Sequence, residues 1–171
     1  MSKTKIIALA ALIILAFVIS GIGNAMAGEK VQQKVRTVYS YFKAEAAKVG
    51  DVPGHVIGVA EANGLTFPEK DEPAAYSVQV MFDYVNGSGP HWGYCMTTWE
   101  DGSTTVVKVE GTTTATQGGK ISLFEGTFTY VKGTGRYAGI KGGGSYTGKR
   151  VTPLAAGAFC YSDATETYTL P

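Results

Sequence analysis

The sequence predicts an all-β protein, an eight-stranded antiparallel β-barrel, and three observations carry that prediction. Glycine is dense, at 23 of 171 residues, and tyrosine, threonine and valine are abundant, a mixture that suits strands and tight turns rather than helices. Apolar residues recur with period two in the clearest segments, as strands buried on one face require. Turn-forming clusters separate these segments at short spacing, so neighbouring strands run antiparallel.

The first 27 residues are read separately. Lys3 and Lys5 precede an uncharged apolar run from Ile6 to Ile22, and Ala25-Met26-Ala27 has the small-x-small form that signal peptidase cuts. The expectation is a signal peptide, 1–27, and a single barrel domain, 28–171, released as a secreted or periplasmic protein. An uncleaved anchor is the alternative, because about seventeen apolar residues nearly span a bilayer. The polar Gly28-Glu29-Lys30 after the cut favours cleavage, and no Cys lies there to take a lipid.

Strands are expected at Val35–Ala44, His55–Phe67, Tyr76–Val85, His91–Trp99, Thr104–Thr114, Ile121–Val131, Ser145–Val151 and Ala158–Leu170. Tyr76, Val78, Val80, Phe82 and Tyr84 alternate with Ser77, Gln79 and Asp83, broken only by Met81. Phe124, Gly126, Phe128 and Tyr130 alternate with Glu125, Thr127 and Thr129, which read as solvent-facing. Asn86-Gly87-Ser88-Gly89-Pro90, Glu100-Asp101-Gly102-Ser103 and Gln117-Gly118-Gly119 mark the joints. Eight such strands close as a barrel or stack as a sandwich. The short connections favour the barrel, which also removes exposed edges, and Gly58, Gly93, Gly111, Gly126 and Gly148 fit bending at its corners.

The least strand-like stretch runs from Lys132 to Gly144. A phosphate-binding loop there lacks its Lys-Ser/Thr ending and following helix, so the expectation is a turn plugging one barrel end over Tyr137 and Ile140.

Trp99-Glu100-Asp101-Gly102, Glu110-Gly111-Thr112, Phe124-Glu125-Gly126 and the run Gly133-Thr134-Gly135-Arg136-Tyr137-Ala138-Gly139-Ile140-Lys141-Gly142 follow one another in a characteristic order. From about His91 to Lys149 this order and spacing resembles the allene oxide cyclase and dirigent barrel family. From about Gly50 to Pro171 the chain is similar to secreted bacterial proteins of that barrel type. The resemblance implies an allene oxide cyclase-like, calycin-type barrel that assembles as a homo-oligomer, often a trimer.

Glu61 and Asn63 are the candidate site residues. Period two places them on one strand face with Ile57, Val59 and Leu65. A carboxylate on an apolar face is desolvated and suited to proton transfer, which makes Glu61 the candidate catalytic group and the pair a candidate ligand site. The plant cyclases carry a similar Glu-x-Asn lining their cavity. The alternative is a polar pair on the rim or outer face. The family's further cavity Cys and Asn have no counterpart in Ala75–Met81, so cyclase activity does not follow.

Other polar groups point less clearly to chemistry. Lys108 and Glu110 read as an outward ladder. His55 and His91 lie near strand starts without metal-ligand spacing, and no nucleophile elbow or Cys-x-x-Cys occurs. Neither a metal nor a cofactor is expected. Trp92, Tyr94 and Trp99 either pack or line a cavity.

A secreted chain with two cysteines ordinarily pairs them. Cys95 on the fourth strand and Cys160 on the eighth would face each other across the barrel, ~15 Å apart for strands spaced ~4.8 Å. A disulfide needs Cα atoms within roughly 7 Å, so both are expected as free thiols.

Losing Lys3 and Lys5 takes the formal net charge from +1 to −1, and without basic clusters nucleic acid is not an expected partner. Three functions remain. One is binding or confining a small apolar molecule. The second is an isomerase or cyclase acting by orientation. The third is a solid barrel with a structural or assembly role, away from the membrane after cleavage.

Overall fold

A computed structural model of the protein describes residues 28–171; the leader reading, 1–27, lies outside the described residues. Eight strands follow in chain order: β1 (Lys30–Lys48), β2 (His55–Pro68), β3 (Ala74–Val85), β4 (Gly89–Thr98), β5 (Thr104–Thr116), β6 (Ile121–Gly133), β7 (Lys141–Arg150) and β8 (Phe159–Thr169). Each pairs antiparallel with the next, and β8 returns to β1, so the sheet is a closed barrel. The only helical turns among the described residues are two three-residue 3-10 turns, Gln117–Gly119 and Gly135–Tyr137.

β1 is longer than the sequence predicts. Past Ser40 it has no β8 partner, and Phe42 is extruded as a bulge between Tyr41 and Lys43 in the pairing with β2. Such an extra residue bends the strand. Tyr41 then bonds the β7–β8 connection instead: its amide donates to the Ala158 carbonyl at 3.0 Å, and its carbonyl accepts from Gly157 at 2.6 Å.

β7 begins earlier than expected, because Gly142–Gly144 are strand rather than loop. Their glycine character comes from crowding. A Cβ on Gly144 would lie 2.1 Å from the Thr165 carbonyl oxygen and 2.8 Å from Phe128 Cζ. Gly58 and Gly148 serve Phe82 and Phe124 in the same way across the ladder, with hypothetical Cβ contacts of 2.3 and 2.1 Å. These strand glycines make room for aromatic rings lying over the neighbouring strand.

The β6–β7 connection closes one end, as the sequence predicts. Tyr137 and Ile140 are buried against Trp99, Ala74 and Tyr168, with the Tyr137 and Trp99 rings 4.2 Å apart. Arg136 lies over both rings and pairs with Asp71 at 2.9 Å and Glu72 at 3.2 Å, while the Tyr137 hydroxyl donates to Asp71. The plug is thereby fastened to the β2–β3 connection.

Cys95 and Cys160 are free and buried, on β4 and β8 of the closed meander.

Candidate ligand cavity

The interior holds a cavity of about 140 Å³. Tyr39, Tyr76, Phe124 and Phe128 supply aromatic walls, and Val78, Val107 and Val109 supply aliphatic ones. Thr37, Thr66, Thr113, His91, Arg150 and Glu166 add polar groups to the lining, and the space has the size of one benzene-sized molecule.

Glu61 and Asn63 do not line it, which corrects the site expected from sequence. The inward residues of β2 are Gly58, Ala60, Ala62, Gly64 and Thr66, and Glu61 and Asn63 point outward with Ile57, Val59 and Leu65. Glu61 accepts from Lys43 Nζ at 3.1 Å and Gln79 Nε2 at 3.5 Å, and Asn63 is exposed. The reason is volume. Ala62 sits in register between Tyr41 and Val78, and Gly58 opposite Phe82, so bulky inward neighbours leave β2 only small side chains. Its large apolar residues go to the outer wall, where Ile57 is 49% and Leu65 51% exposed. Glu61 is thereby held on the outer wall in an ion pair with Lys43.

A four-strand row supplies the central polar group. His91, Gly111, Gly126 and Tyr146 are consecutive partners across β4, β5, β6 and β7. A Cβ on either glycine would lie 2.6 Å from the Tyr146 hydroxyl. With both absent, the two flanking rings meet over the gap, Nε2 of His91 and the Tyr146 hydroxyl being 2.7 Å apart. Nδ1 of His91 lies 3.0 Å from Thr113 Oγ1, which is 2.8 Å from the Tyr84 hydroxyl. Burial pushes His91 down to about 4, so its imidazole is neutral at pH 7, with one ring nitrogen donating and the other accepting. Burial also raises Tyr84 and Tyr146. The row is thus a chain of neutral groups, able to orient a polar ligand atom or relay a proton without holding charge.

Two ionisable groups flank the cavity. Glu166 accepts from Gln33 Nε2 at 2.6 Å and from the Tyr130 hydroxyl at 2.7 Å, and burial raises its carboxyl above the ordinary range. Arg150 is 6% exposed; its Nη2 donates to Ser122 Oγ at 2.7 Å and its Nε to the Thr152 carbonyl at 3.0 Å. Cys95 also lines the wall and accepts from the Tyr76 hydroxyl at 3.0 Å, but burial pushes its thiol up to about 12, which leaves it a poor nucleophile.

The remaining sequence candidates lie elsewhere. His55 bridges Asp51 at 2.5 Å and Asp83 at 2.7 Å on the outside. Lys108 pairs with Glu110 outside, Trp92 and Tyr94 are on the exposed wall, and Trp99 belongs to the plug. Among the described residues no group of three or more His, Cys, Asp or Glu side chains is placed to hold a metal.

The sequence reading missed Tyr146, Arg150 and Glu166. Glu166 was the most accessible, since Cys160, Ala164, Glu166 and Tyr168 share one strand face by period two.

No protein-family model matches the chain, and no curated protein matches it. Among solved structures it is similar to the pterocarpan synthase dirigent protein GePTS1, with 10% identity and a TM-score of 0.42 over 87% of this chain and 94% of that one.

Proposed function

We propose that the protein is a secreted or periplasmic barrel that binds or confines a small apolar molecule in its interior. One observation carries the reading: an interior cavity of about 140 Å³ whose aromatic and aliphatic walls are interrupted by polar groups such as His91, Thr113, Arg150 and Glu166, behind a plugged end. The motif order from His91 to Lys149, which resembles the allene oxide cyclase and dirigent barrels, supports the same class. A second reading, isomerase or cyclase chemistry on a confined substrate, is favoured by the His91–Tyr146 pair, which faces the cavity and can relay a proton. Exposed Ile57, Val59, Met81, Trp92, Tyr94 and Met96 on the outer wall of β2–β4 support assembly as a homo-oligomer, a trimer in our reading.

Native mass spectrometry of the purified protein, before and after organic extraction, tests both statements. The expected result is a trimeric mass carrying a small molecule on each chain, lost on extraction. A bare mass unchanged by extraction contradicts the binding reading, and a monomeric mass at tens of micromolar contradicts the assembly.

A further inference from the structure

The chain has three arginines, Arg36, Arg136 and Arg150, and they divide sharply. Arg36 and Arg136 are half-exposed and paired with carboxylates, at 2.7 Å to Asp163 and 2.9 Å to Asp71. Arg150 is the most buried, yet it has no ion pair among the described residues. A buried cation without a counter-charge is costly, and proteins retain one where something supplies the missing charge.

The surroundings of Arg150 fix its orientation without neutralising it. Ser122 Oγ and the Thr152 carbonyl hold Nη2 and Nε, and both are neutral acceptors. Ser122 is fully buried, so this anchor is part of the wall. Nη1 makes no hydrogen bond among the described residues and the side chain lines the cavity. A second polar demand goes unmet beside it: Thr152 Oγ1 is buried without a partner. Tyr84, also on the cavity wall, and Tyr41 lie close enough to feel the Arg150 charge, and burial keeps both phenols protonated.

We propose that Arg150 is an anion subsite of the cavity and that the ligand is a monocarboxylate with a one-ring aromatic body. This rests on the binding reading above and adds to it the chemical class of the ligand. One guanidinium charge matches one carboxylate. Nη1 donates to one carboxylate oxygen, and a neutral phenol at the same end donates to the other. The body of the ligand occupies the space of about 140 Å³ between the Phe124 and Phe128 rings and the valines, a volume matched to one aromatic ring.

The test is calorimetric titration of the purified protein with 3-phenylpropanoate and, separately, with 3-phenylpropan-1-ol. The wild-type chain is expected to bind the acid at least about tenfold more tightly than the alcohol. Arg150→Met, checked for the wild-type circular dichroism spectrum, is expected to bind the acid no more tightly than the alcohol. Arg150→Lys keeps the charge without the planar fork and is expected to fall between the two. Equal affinity for acid and alcohol in the wild-type chain overturns the anion subsite and leaves the cavity reading standing. Persistence of the preference in folded Arg150→Met places the anion elsewhere and also overturns it. Binding of neither compound overturns this proposal, and the cavity reading then rests on the extraction experiment alone. Should Arg150→Met not fold, the acid-against-alcohol comparison in the wild-type chain decides the question.

Discussion

Gly111→Val is expected to abolish cooperative folding or to lower stability by at least about 3 kcal/mol, as urea unfolding followed by circular dichroism would read it. The added Cβ would sit 2.3 Å from the Glu125 carbonyl oxygen, 2.6 Å from the Tyr146 hydroxyl and 2.8 Å from His91 Nε2. The first of these belongs to the β5–β6 ladder and cannot retreat without opening it. The other two form the hydrogen bond that spans the cavity wall, so a rotamer change in either ring breaks that bond. Thr112→Val is the control. Its side chain is exposed on the outer face one residue away, and the change is expected to stay within about 0.5 kcal/mol. Equal stability of the two variants would contradict the close approach of His91 and Tyr146 over Gly111 and Gly126.

The His91 contribution to stability is expected to fall by about 3 kcal/mol as pH drops from 6.5 to about 4, so His91→Gln is expected to lose less stability over that range than the wild-type chain. Burial depresses the His91 imidazole from 6.5 to about 4, so between those values the unfolded chain binds a proton that the folded chain does not. Stability from this group is full above its ordinary value and is lost as acid drives the equilibrium toward the protonated, unfolded chain. His55 works in the opposite sense. Asp83 and Asp51 raise it, so its contribution is full at low pH and is lost as pH rises through the raised value. Glu166, raised by burial, likewise costs stability as pH rises, not as it falls. Asp51, Asp101 and Asp163 are held below the usual carboxylate value of 3.8, and their acid losses begin mainly beneath this window. Glutamine offers Thr113 and Tyr146 a donor and an acceptor without titrating. Urea unfolding at pH 7 and pH 4 measures the difference, and a parallel fall in His91→Gln would contradict the assignment.

Local pattern made some parts of this molecule legible and geometry between strands hid others. The β3 and β6 alternations named their inward residues correctly, because aromatic residues on one face and Ser, Gln, Thr or Glu on the other leave a single solution. The plug was legible because a glycine-rich turn carrying Tyr137 and Ile140 has to bury them. The opposition of β4 and β8 followed from counting strands, and with it the free Cys95 and Cys160.

β2 misled for a physical reason. Its apolar residues, Ile57, Val59 and Leu65, face out, because the interior beside it is already filled by Tyr39, Tyr41, Val78 and Phe82. Hydrophobicity along one strand cannot report how much volume its neighbours occupy. The glycines of β5–β7 hid their role similarly, since what each makes room for stands on a different strand. Arg150 lies at the last position of its strand, where period two gives way to the connection, and its neutral partners Ser122 and Thr152 are fixed only by the fold.

The most direct test of the account is a methyl NMR titration of the valine-labelled protein with 3-phenylpropanoate. Val78, Val107 and Val109 face the cavity, whereas Val38 and Val59 are on the outer wall, 42% and 37% exposed. Saturable shifts at the first three, with the outer two unmoved, are the expected result. Saturable shifts confined to Val38 and Val59 would contradict an interior that holds a ligand.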